Sequence, residues 1–150
     1  MQDVCVFCGS SPGKDPVFMQ SAKALGDAIS NASMGLIYGG AHVGLMGQVA
    51  DAVLAGGQTV VGVIPQSFAH KVSHEGLTEL HVVDSMHTRK AMMFELAGAC
   101  IALPGGFGTL EELTEVLTWA QLDFHQKPIG LLNINGYYDA LLTFFDQAVL

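Results

Sequence analysis

Residues 103–112 of the chain read LPGGFGTLEE, a glycine-rich turn between two apolar patterns. The run before the turn has the character of a buried strand, and leucines recur after it at helical spacing. Such a turn offers free backbone N–H groups at the positive end of a helix dipole, and glycines let an anion come close. We therefore expect the turn to bind a phosphate group; a tight turn that only needs positive φ is the alternative.

The rest of the chain alternates between strand and helix patterns. Strands are expected at residues 3–8, 36–38, 59–64, 79–84, 99–103 and 128–132, and helices at 16–31, 45–54, 85–98, 108–122 and 136–150. Residues 65–78 lack a clear period and are expected to form an exposed loop with at most a helical turn. Continuously apolar strands are typical of a parallel sheet covered on both faces. We predict an α/β fold, a Rossmann-like doubly wound parallel sheet with helices on both faces.

Length and composition limit the kind of protein. The 150 residues suit a single nucleotide-binding catalytic domain, and the chain stops inside an apolar helical pattern, so we expect a longer natural C-terminus. The formal net charge of −8 makes a nucleic acid polymer an unsuitable partner. No apolar run approaches the roughly 20 residues of a membrane span, and the N-terminus lacks a signal-peptide pattern. A cytoplasmic location is expected.

The three cysteines do not predict a metal site. Cys5 and Cys8 have C-x-x-C spacing, but a zinc site needs a second pair and Cys100 stands alone. We interpret all three as reduced cysteines in or beside buried strands.

Three glycine-rich turns follow predicted strands. In doubly wound sheets ligands lie at the carboxyl ends of the strands, so these turns should converge on one crevice. Neither G-x-G-x-x-G nor G-x-x-x-x-G-K-[ST] occurs, which disfavours dinucleotides and P-loop nucleotides and leaves a mononucleotide. The candidate ligand contacts in the turns are Gly9, Ser10, Gly40, Gly105, Gly106, Gly108 and Thr109.

Polar residues near these turns have two interpretations each. Thr109 and Glu112 fit the S/T-x-x-E capping box, yet a carboxylate at the mouth of a phosphate-binding turn can also act on the ligand. Thr118 is either a ligand contact or a hydroxyl bonded to its own helix backbone. Arg89, the only arginine in the sequence, offers a planar fork for phosphate or pairs with a surface acid. Glu75 reaches a ligand or is plain surface.

Several motifs in order resemble those of one family. Residues 104–112 (PGGFGTLEE) fit P-G-G-x-G-T-x-x-E, and residues 86–90 (MHTRK) fit M-H-x-R-K. Further blocks match at residues 8–11 (CGSS), 38–40 (YGG), 44–47 (GLMG) and 118–121 (TWAQ). The chain therefore resembles the LOG family, the cytokinin riboside 5′-monophosphate phosphoribohydrolases, a family often mislabelled as lysine decarboxylases.

The resemblance implies a Rossmann-like homodimer that hydrolyses a nucleoside 5′-monophosphate, AMP or N6-modified AMP, to free base and ribose 5-phosphate. Arg89 and Glu112 are then the catalytic pair, and no metal or cofactor is needed. The implied substrate contacts are Lys90, Gly106, Gly108, Thr109 and Thr118. Two alternatives remain: a non-enzymatic nucleotide-binding sensor or carrier of the same fold, and amino-acid decarboxylation, for which no suitable lysine stands out.

Overall fold

The computed structural model describes residues 3–149. Its strands are β1 (Val4–Phe7), β2 (Leu36–Tyr38), β3 (Val60–Pro65), β4 (Glu79–Val83), β5 (Ala99–Ala102) and β6 (Ile129–Leu131). Its α-helices are α1 (Pro16–Asn31), α2 (Gly44–Ala55), α3 (Gln66–Val72), α4 (Met86–Leu96), α5 (Phe107–Gln121) and α6 (Asp139–Ala148), and a 3₁₀ turn spans Ile134–Gly136. Strands and helices alternate, as the sequence pattern predicts.

All strand pairs are parallel, and the sheet order is β4-β3-β2-β1-β5-β6. β1 is central, and Cys5 is in register with Ile37 of β2 and Cys100 of β5. The chain moves outward from β1 to β4 and then returns to β5 on the other side of β1. Such a reversal leaves a crevice at the carboxyl ends of the two strands. The predicted doubly wound α/β fold is confirmed.

The central strand β1 faces two separate apolar layers. Val4 and Val6 belong to the layer that also contains Val49 of α2. Cys5 and Phe7 belong to the other layer, which contains Met93 of α4 and Val116 of α5. Because both faces of the strand are buried, its sequence is continuously apolar instead of alternating. The same arrangement puts α4 and α5, which carry Arg89 and Glu112, on one face of the sheet.

Local capping determines where two of the helices begin. The Asp15 side chain accepts a hydrogen bond from the N–H of Val17 at 2.9 Å, and Pro16 is the first helical residue of α1, as predicted. The Ser85 side chain accepts from the N–H of Thr88 at 3.1 Å and caps α4. The helix therefore begins directly after β4, at the edge of the sheet where ligands are expected.

Two segments differ from the sequence prediction. Residues 66–72, expected in an irregular loop, form the seven-residue helix α3. None of its residues is fully buried, which explains the missing apolar period. The last helix begins at Asp139 and not at 136, because Asn135 and Gly136 have positive φ values of 51° and 70°. The predicted end of that helix, Leu150, lies outside the described residues.

Two other expectations concern the cysteines and the membrane. Cys5, Cys8 and Cys100 are free and buried, which confirms their interpretation as reduced cysteines in the core. Within residues 3–149, no helix has the length and apolar character that crossing a bilayer requires. The cytoplasmic location remains a prediction.

Candidate active site

A crevice lies where β1 and β5 end. The N–H of Gly9 donates to the carbonyl of Pro104 at 3.3 Å and joins the two turns. Beside this bond is a cavity of about 330 Å³. It is lined by Gly9, Ser10, Ser11, Gly13, Phe18, Leu45, Pro104, Gly105, Gly106 and Tyr137. The predicted convergence of the first and third glycine turns is confirmed, at the point where the strand order reverses.

The turn after β2 takes a different position from the one expected. Gly40 has a φ of 81°, and a Cβ there would lie 3.2 Å from Ile64 and 3.3 Å from Leu80. Its carbonyl accepts a hydrogen bond from the N–H of His74 at 2.9 Å. The turn reaches the crevice region through Ala41 and Val43 instead, and Gly40 as a substrate contact stays a prediction.

The glycine turn before α5 leaves its N–H groups free. Gly106 is the N-cap residue, and Phe107 opens the helix. Across the described chain, the backbone N–H groups of residues 106–109 have no protein acceptor. A Cβ on Gly106 would meet nothing within 4 Å, whereas one on Gly105 would collide with Oγ1 of Thr109. Gly105 is thus required by packing, and Gly106 leaves open space above donors that suit an anion.

The capping-box interpretation of Thr109 and Glu112 is wrong. A capping box requires Thr109 to be the N-cap, but the helix begins three residues earlier, after Gly106. Thr109 is instead the third helical residue, and it is buried against the turn. The reason is that the glycines allow the chain to enter the helix without a capping side chain. Glu112 is therefore not engaged in a cap.

Arg89 joins α4 to the carboxyl ends of two strands. Its Nε donates to the carbonyl of Val63 at 2.8 Å, and its Nη2 donates to the carbonyl of Gly39 at 2.5 Å. The residue is only 8% exposed. Burial lowers the pKa of the guanidinium, and the Glu112 charge opposes that effect. The alternative of a surface arginine paired with an acid is thereby excluded.

A second cavity, of about 310 Å³, adjoins the first. It is lined by Ser10, Ala41, Val43, Met46, Ile64, Phe68, Val72 and Arg89. Ser10 borders both cavities, so they are neighbouring parts of one crevice. Most residues that line this second cavity are apolar, and Arg89 contributes a positively charged side chain to it. The predicted contact Ser10 thus lies between an apolar compartment and the glycine turn.

Glu112 carries the clearest electrostatic signal of a functional group. Burial raises the pKa of its carboxyl to about 7, although the charge of Arg89 acts in the opposite direction. The Glu112 charge in turn raises the pKa of Cys8 at the end of β1, although burial is the larger cause. A carboxyl with a pKa near neutrality is suited to take or give a proton at physiological pH.

Lys90 is held by two carboxylates that the sequence analysis did not connect to it. Its Nζ donates to Glu111 at 2.6 Å and to Glu115 at 2.9 Å. The lysine side chain is 8% exposed, and these bonds raise its pKa. Helix α4 is therefore tied to α5 beside Glu112. The predicted contact of Lys90 with a substrate stays a prediction.

The Thr118 hydroxyl bonds to its own helix backbone, which is one of the two interpretations of this residue. Its Oγ1 donates to the carbonyl of Thr114 at 2.7 Å. Glu75 is exposed and lines a third cavity, of about 570 Å³, together with His42, His70 and His74. Direct ligand contact by Thr118 or by Glu75 stays a prediction.

Comparison with known proteins agrees with the motifs. A family model described as "Possible lysine decarboxylase" matches residues 46–150. The cytokinin riboside 5′-monophosphate phosphoribohydrolase LOG7 of Arabidopsis thaliana is 54% identical over 147 residues, which are 97% of this chain and 68% of that protein. The cytokinin riboside 5′-monophosphate phosphoribohydrolase of Rhodococcoides fascians is 54% identical over 151 residues, 99% of this chain and 76% of that protein. The chain belongs to the LOG family.

Solved structures agree with the fold of this LOG-family protein. The molybdenum cofactor binding protein of Rippkaea orientalis superposes with a TM-score of 0.77 at 23% identity, over 98% of this chain and 86% of that one. The Moco carrier protein of Chlamydomonas reinhardtii gives a TM-score of 0.76 at 20% identity, with the same coverage. At this level of identity the likeness shows the fold alone.

Two residues at the site of this LOG-family protein were missed by the sequence analysis. The Tyr137 hydroxyl donates to the carbonyl of Gly105, and the Tyr138 hydroxyl donates to the carbonyl of Leu103, each at 2.6 Å. Both tyrosines follow β6, more than 30 residues from the turn they contact. The sequence shows two consecutive tyrosines directly after Gly136. Nothing in the neighbouring sequence predicts that their hydroxyls bond to the distant glycine turn.

Proposed function

We propose that this protein hydrolyses the N-glycosidic bond of a nucleoside 5′-monophosphate and releases the free base and ribose 5-phosphate. The observation that carries the proposal is Glu112, a carboxyl with a pKa of about 7 on the helix whose N-terminal turn has free N–H groups. The names of the relatives at 54% identity agree with this reaction, and they point to cytokinin riboside 5′-monophosphate, an N6-modified AMP, as substrate.

The phosphate is proposed to bind the N–H groups of residues 106–109. These donors meet the positive end of the α5 dipole, which favours an anion without a cationic side chain. The phosphate does not react, so its binding energy serves to hold the ribose in place against the catalytic group. Gly105, Gly106, Gly108 and Thr109 keep their predicted roles as phosphate contacts or supports in this proposal.

Glu112 is proposed to act at the ribose. Cleavage of an N-glycosidic bond passes through an oxocarbenium-like state, in which positive charge develops at the anomeric carbon. An adjacent carboxylate stabilises that charge, and it can also orient the attacking water and accept its proton. A pKa of about 7 leaves a substantial fraction of the carboxyl ionised at neutral pH while keeping it a competent base.

Arg89 is proposed to act on Glu112 and on the base, and not as the main phosphate ligand. Its Nε and Nη2 already donate to the carbonyls of Val63 and Gly39. These two guanidinium donors are therefore not available for a bidentate contact with phosphate. Its positive charge favours the ionised form of Glu112, and its position in the apolar cavity puts it near a bound base.

The apolar cavity is proposed to hold the base. Met46, Phe68 and Val72 supply apolar lining to a volume of about 310 Å³. A planar purine suits such a compartment, and an apolar N6 substituent would bury further surface. The adjoining cavity of about 330 Å³ at the glycine turn then takes the ribose phosphate.

The test is a panel of nucleoside monophosphates. We expect free base and ribose 5-phosphate to appear from AMP or an N6-modified AMP, followed by chromatography without added metal or cofactor. Glu112→Gln should lower the rate at least about 100-fold. No base release from any nucleotide in the panel by the wild-type protein would contradict the proposal. Nucleotide binding without turnover would favour the sensor or carrier alternative instead.

Amino-acid decarboxylation, suggested by the wording of the family model, fits the residues poorly. A lysine that forms a Schiff base needs a lowered pKa, usually through burial without a partner. Lys90 follows Arg89 in α4, but Glu111 and Glu115 bind its ammonium and raise its pKa. Its proton is therefore held more tightly than in an isolated lysine.

A homodimer is part of the proposal. Large apolar side chains are exposed near the ends of α4 and α5, where Leu96 is 47%, Leu122 55% and Phe124 72% accessible. Burying them against a second copy would remove apolar surface from water. Light scattering at micromolar concentration should give the mass of two chains, and the mass of one chain would contradict the dimer.

A further inference from the structure

The Tyr137 hydroxyl contacts one peptide group in the glycine turn. It donates to the carbonyl oxygen of Gly105 at 2.6 Å. In a planar trans peptide, the carbonyl of one residue and the N–H of the next point in opposite directions. The N–H opposite this carbonyl belongs to Gly106, which lines the crevice and whose N–H has no protein acceptor among residues 3–149.

The local backbone by itself does not select this orientation. The peptide group lies between two glycines, and neither has a Cβ that would hinder its rotation. A Cβ on Gly106 would meet nothing within 4 Å, and the hydrogen bond from the N–H of Leu110 restrains the carbonyl of Gly106, which belongs to the following peptide group. If the peptide turned over, the carbonyl oxygen of Gly105 would take the place of the N–H and repel an anion. A distant hydrogen-bond donor is therefore needed to keep the N–H available.

We propose that Tyr137 is a positioning residue for the phosphate group, acting through the Gly105–Gly106 peptide. This inference rests on the proposed phosphate site at the glycine turn. The Tyr137 ring packs edge-on against Phe18, with centroids 5.8 Å apart, and against Tyr138 at 4.9 Å. These contacts hold the ring in place, so that the hydroxyl stays at the carbonyl of Gly105. Without the hydroxyl, the turn binds phosphate more weakly.

Tyr138 provides a matched control because its hydroxyl bonds to a peptide that lacks an N–H. It donates to the carbonyl of Leu103, and the next residue is Pro104. Proline has no amide hydrogen, so this bond orients no donor toward the crevice. The side chain is only 2% exposed, so loss of its hydroxyl leaves a buried carbonyl with one bond fewer. Its removal should lower stability without a selective effect on phosphate.

The experiment compares Tyr137→Phe and Tyr138→Phe with the wild-type protein. Calorimetry with ribose 5-phosphate measures phosphate binding without turnover, and thermal unfolding measures stability. In Tyr137→Phe the Kd for ribose 5-phosphate should rise about fivefold to tenfold. This is the effect expected when the Gly106 N–H no longer donates a hydrogen bond to the anion. KM for the nucleotide should rise in parallel, with kcat within about threefold. Tyr138→Phe should lower Tm and leave the Kd within about twofold.

The outcomes separate this inference from the proposed hydrolysis. An active protein whose Kd for ribose 5-phosphate is unchanged in Tyr137→Phe would overturn the positioning role alone. The same holds if Tyr138→Phe weakens binding as much as Tyr137→Phe, because the effect would then be general destabilisation. A wild-type protein without turnover, but with weaker binding in Tyr137→Phe, would overturn the hydrolysis and support the positioning role. Absence of ribose 5-phosphate binding in the wild type would overturn the proposed phosphate site and the positioning role with it, whereas base release from the nucleotide panel still decides the hydrolysis.

Discussion

Arg89 and Glu112 lie early in two neighbouring helices and influence each other's charge without forming an ion pair. Burial raises the pKa of the Glu112 carboxyl to about 7, and the Arg89 guanidinium limits this rise. Burial also lowers the pKa of Arg89, and the Glu112 charge opposes that change. Within residues 3–149, the two side chains are not within 4.0 Å ion-pair distance. The two charges therefore act on each other over a distance longer than that of a direct ion pair.

The first prediction is a pH profile. Glu112 must be ionised to act as a base, so kcat/KM for AMP should increase with pH and level off above about 7. The substrate phosphate itself titrates near pH 6, so ribose 5-phosphate affinity over the same range serves as the control. An acid limb centred near pH 4.5, the ordinary value for a glutamate, would contradict a buried catalytic carboxyl.

The second prediction concerns stability. The folded-state pKa of Glu112 is raised, so ionisation of the carboxyl opposes folding once the pH exceeds its unfolded value of about 4.5. Relative to Glu112→Gln, the wild-type protein should lose stability as the pH rises from about 4.5 through about 7. Thermal unfolding at intervals between pH 4 and about 8 measures this difference.

Glu111 supplies a control of opposite sign for that measurement. Its bond with Lys90 lowers the pKa of the Glu111 carboxyl, so ionisation of this group favours folding. Relative to Glu111→Gln, the wild type should gain stability as the pH rises from the lowered folded pKa to the unfolded value of about 4.5, so these scans extend below about pH 4. The gain should be small because the Glu111 side chain is 62% exposed. The same pH trend in both variants would contradict the assigned environments.

The third prediction separates two glycines of the turn. In Gly105→Ala the new methyl group would collide with Thr109, so the free energy of unfolding should fall by about 1–3 kcal/mol. In Gly106→Ala the methyl group meets no protein atom, so Tm should change little. The methyl group would still crowd a bound phosphate, and KM for the nucleotide should rise about tenfold. An unchanged KM in a folded Gly106→Ala protein would place the phosphate elsewhere.

The fourth prediction concerns the two hydrogen bonds that the Arg89 guanidinium donates to backbone carbonyls. Arg89→Lys keeps the positive charge but cannot reproduce both bonds, to Val63 and Gly39. Unfolding by denaturant should show a loss of about 2–4 kcal/mol, because buried carbonyls lose charged donors. Activity should fall at least about tenfold.

Lys23→Gln is the control for Arg89→Lys. Lys23 is 58% exposed in an i,i+4 pair with Asp27, so this change should cost no more than about 0.5 kcal/mol and leave activity intact. Equal stability losses in the two variants would contradict the structural role of the arginine.

Much of the fold could be predicted because its signals are local. Continuously apolar strands and helical spacing between them identify a covered parallel sheet without any knowledge of contacts. The glycine turn before α5 could be placed for the same reason. Helix α3 was missed because none of its residues is fully buried, so its sequence carries no core-facing period.

The details of the site were less predictable because they depend on contacts between distant residues. Arg89 reaches carbonyls 26 and 50 residues away, and Lys90 reaches carboxylates 21 and 25 residues away. Spacing alone suggested a capping box at Thr109, whereas the observed helix begins after Gly106. Propensity rules favour a polar N-cap, and here a glycine without a capping side chain leaves the N–H groups open.

The sequence by itself determined the fold class, the position of the glycine turn and the family, because periodicity and glycine spacing are properties of short segments. Only the tertiary structure decided which polar groups are free to act. In the folded chain, two donors of Arg89 bond to carbonyls at the ends of strands, and the Lys90 ammonium bonds to two carboxylates. The carbonyl of Gly105 accepts a hydrogen bond from Tyr137. Folding also partly buries Glu112 and raises its pKa to about 7, because desolvation depends on what surrounds a side chain in space.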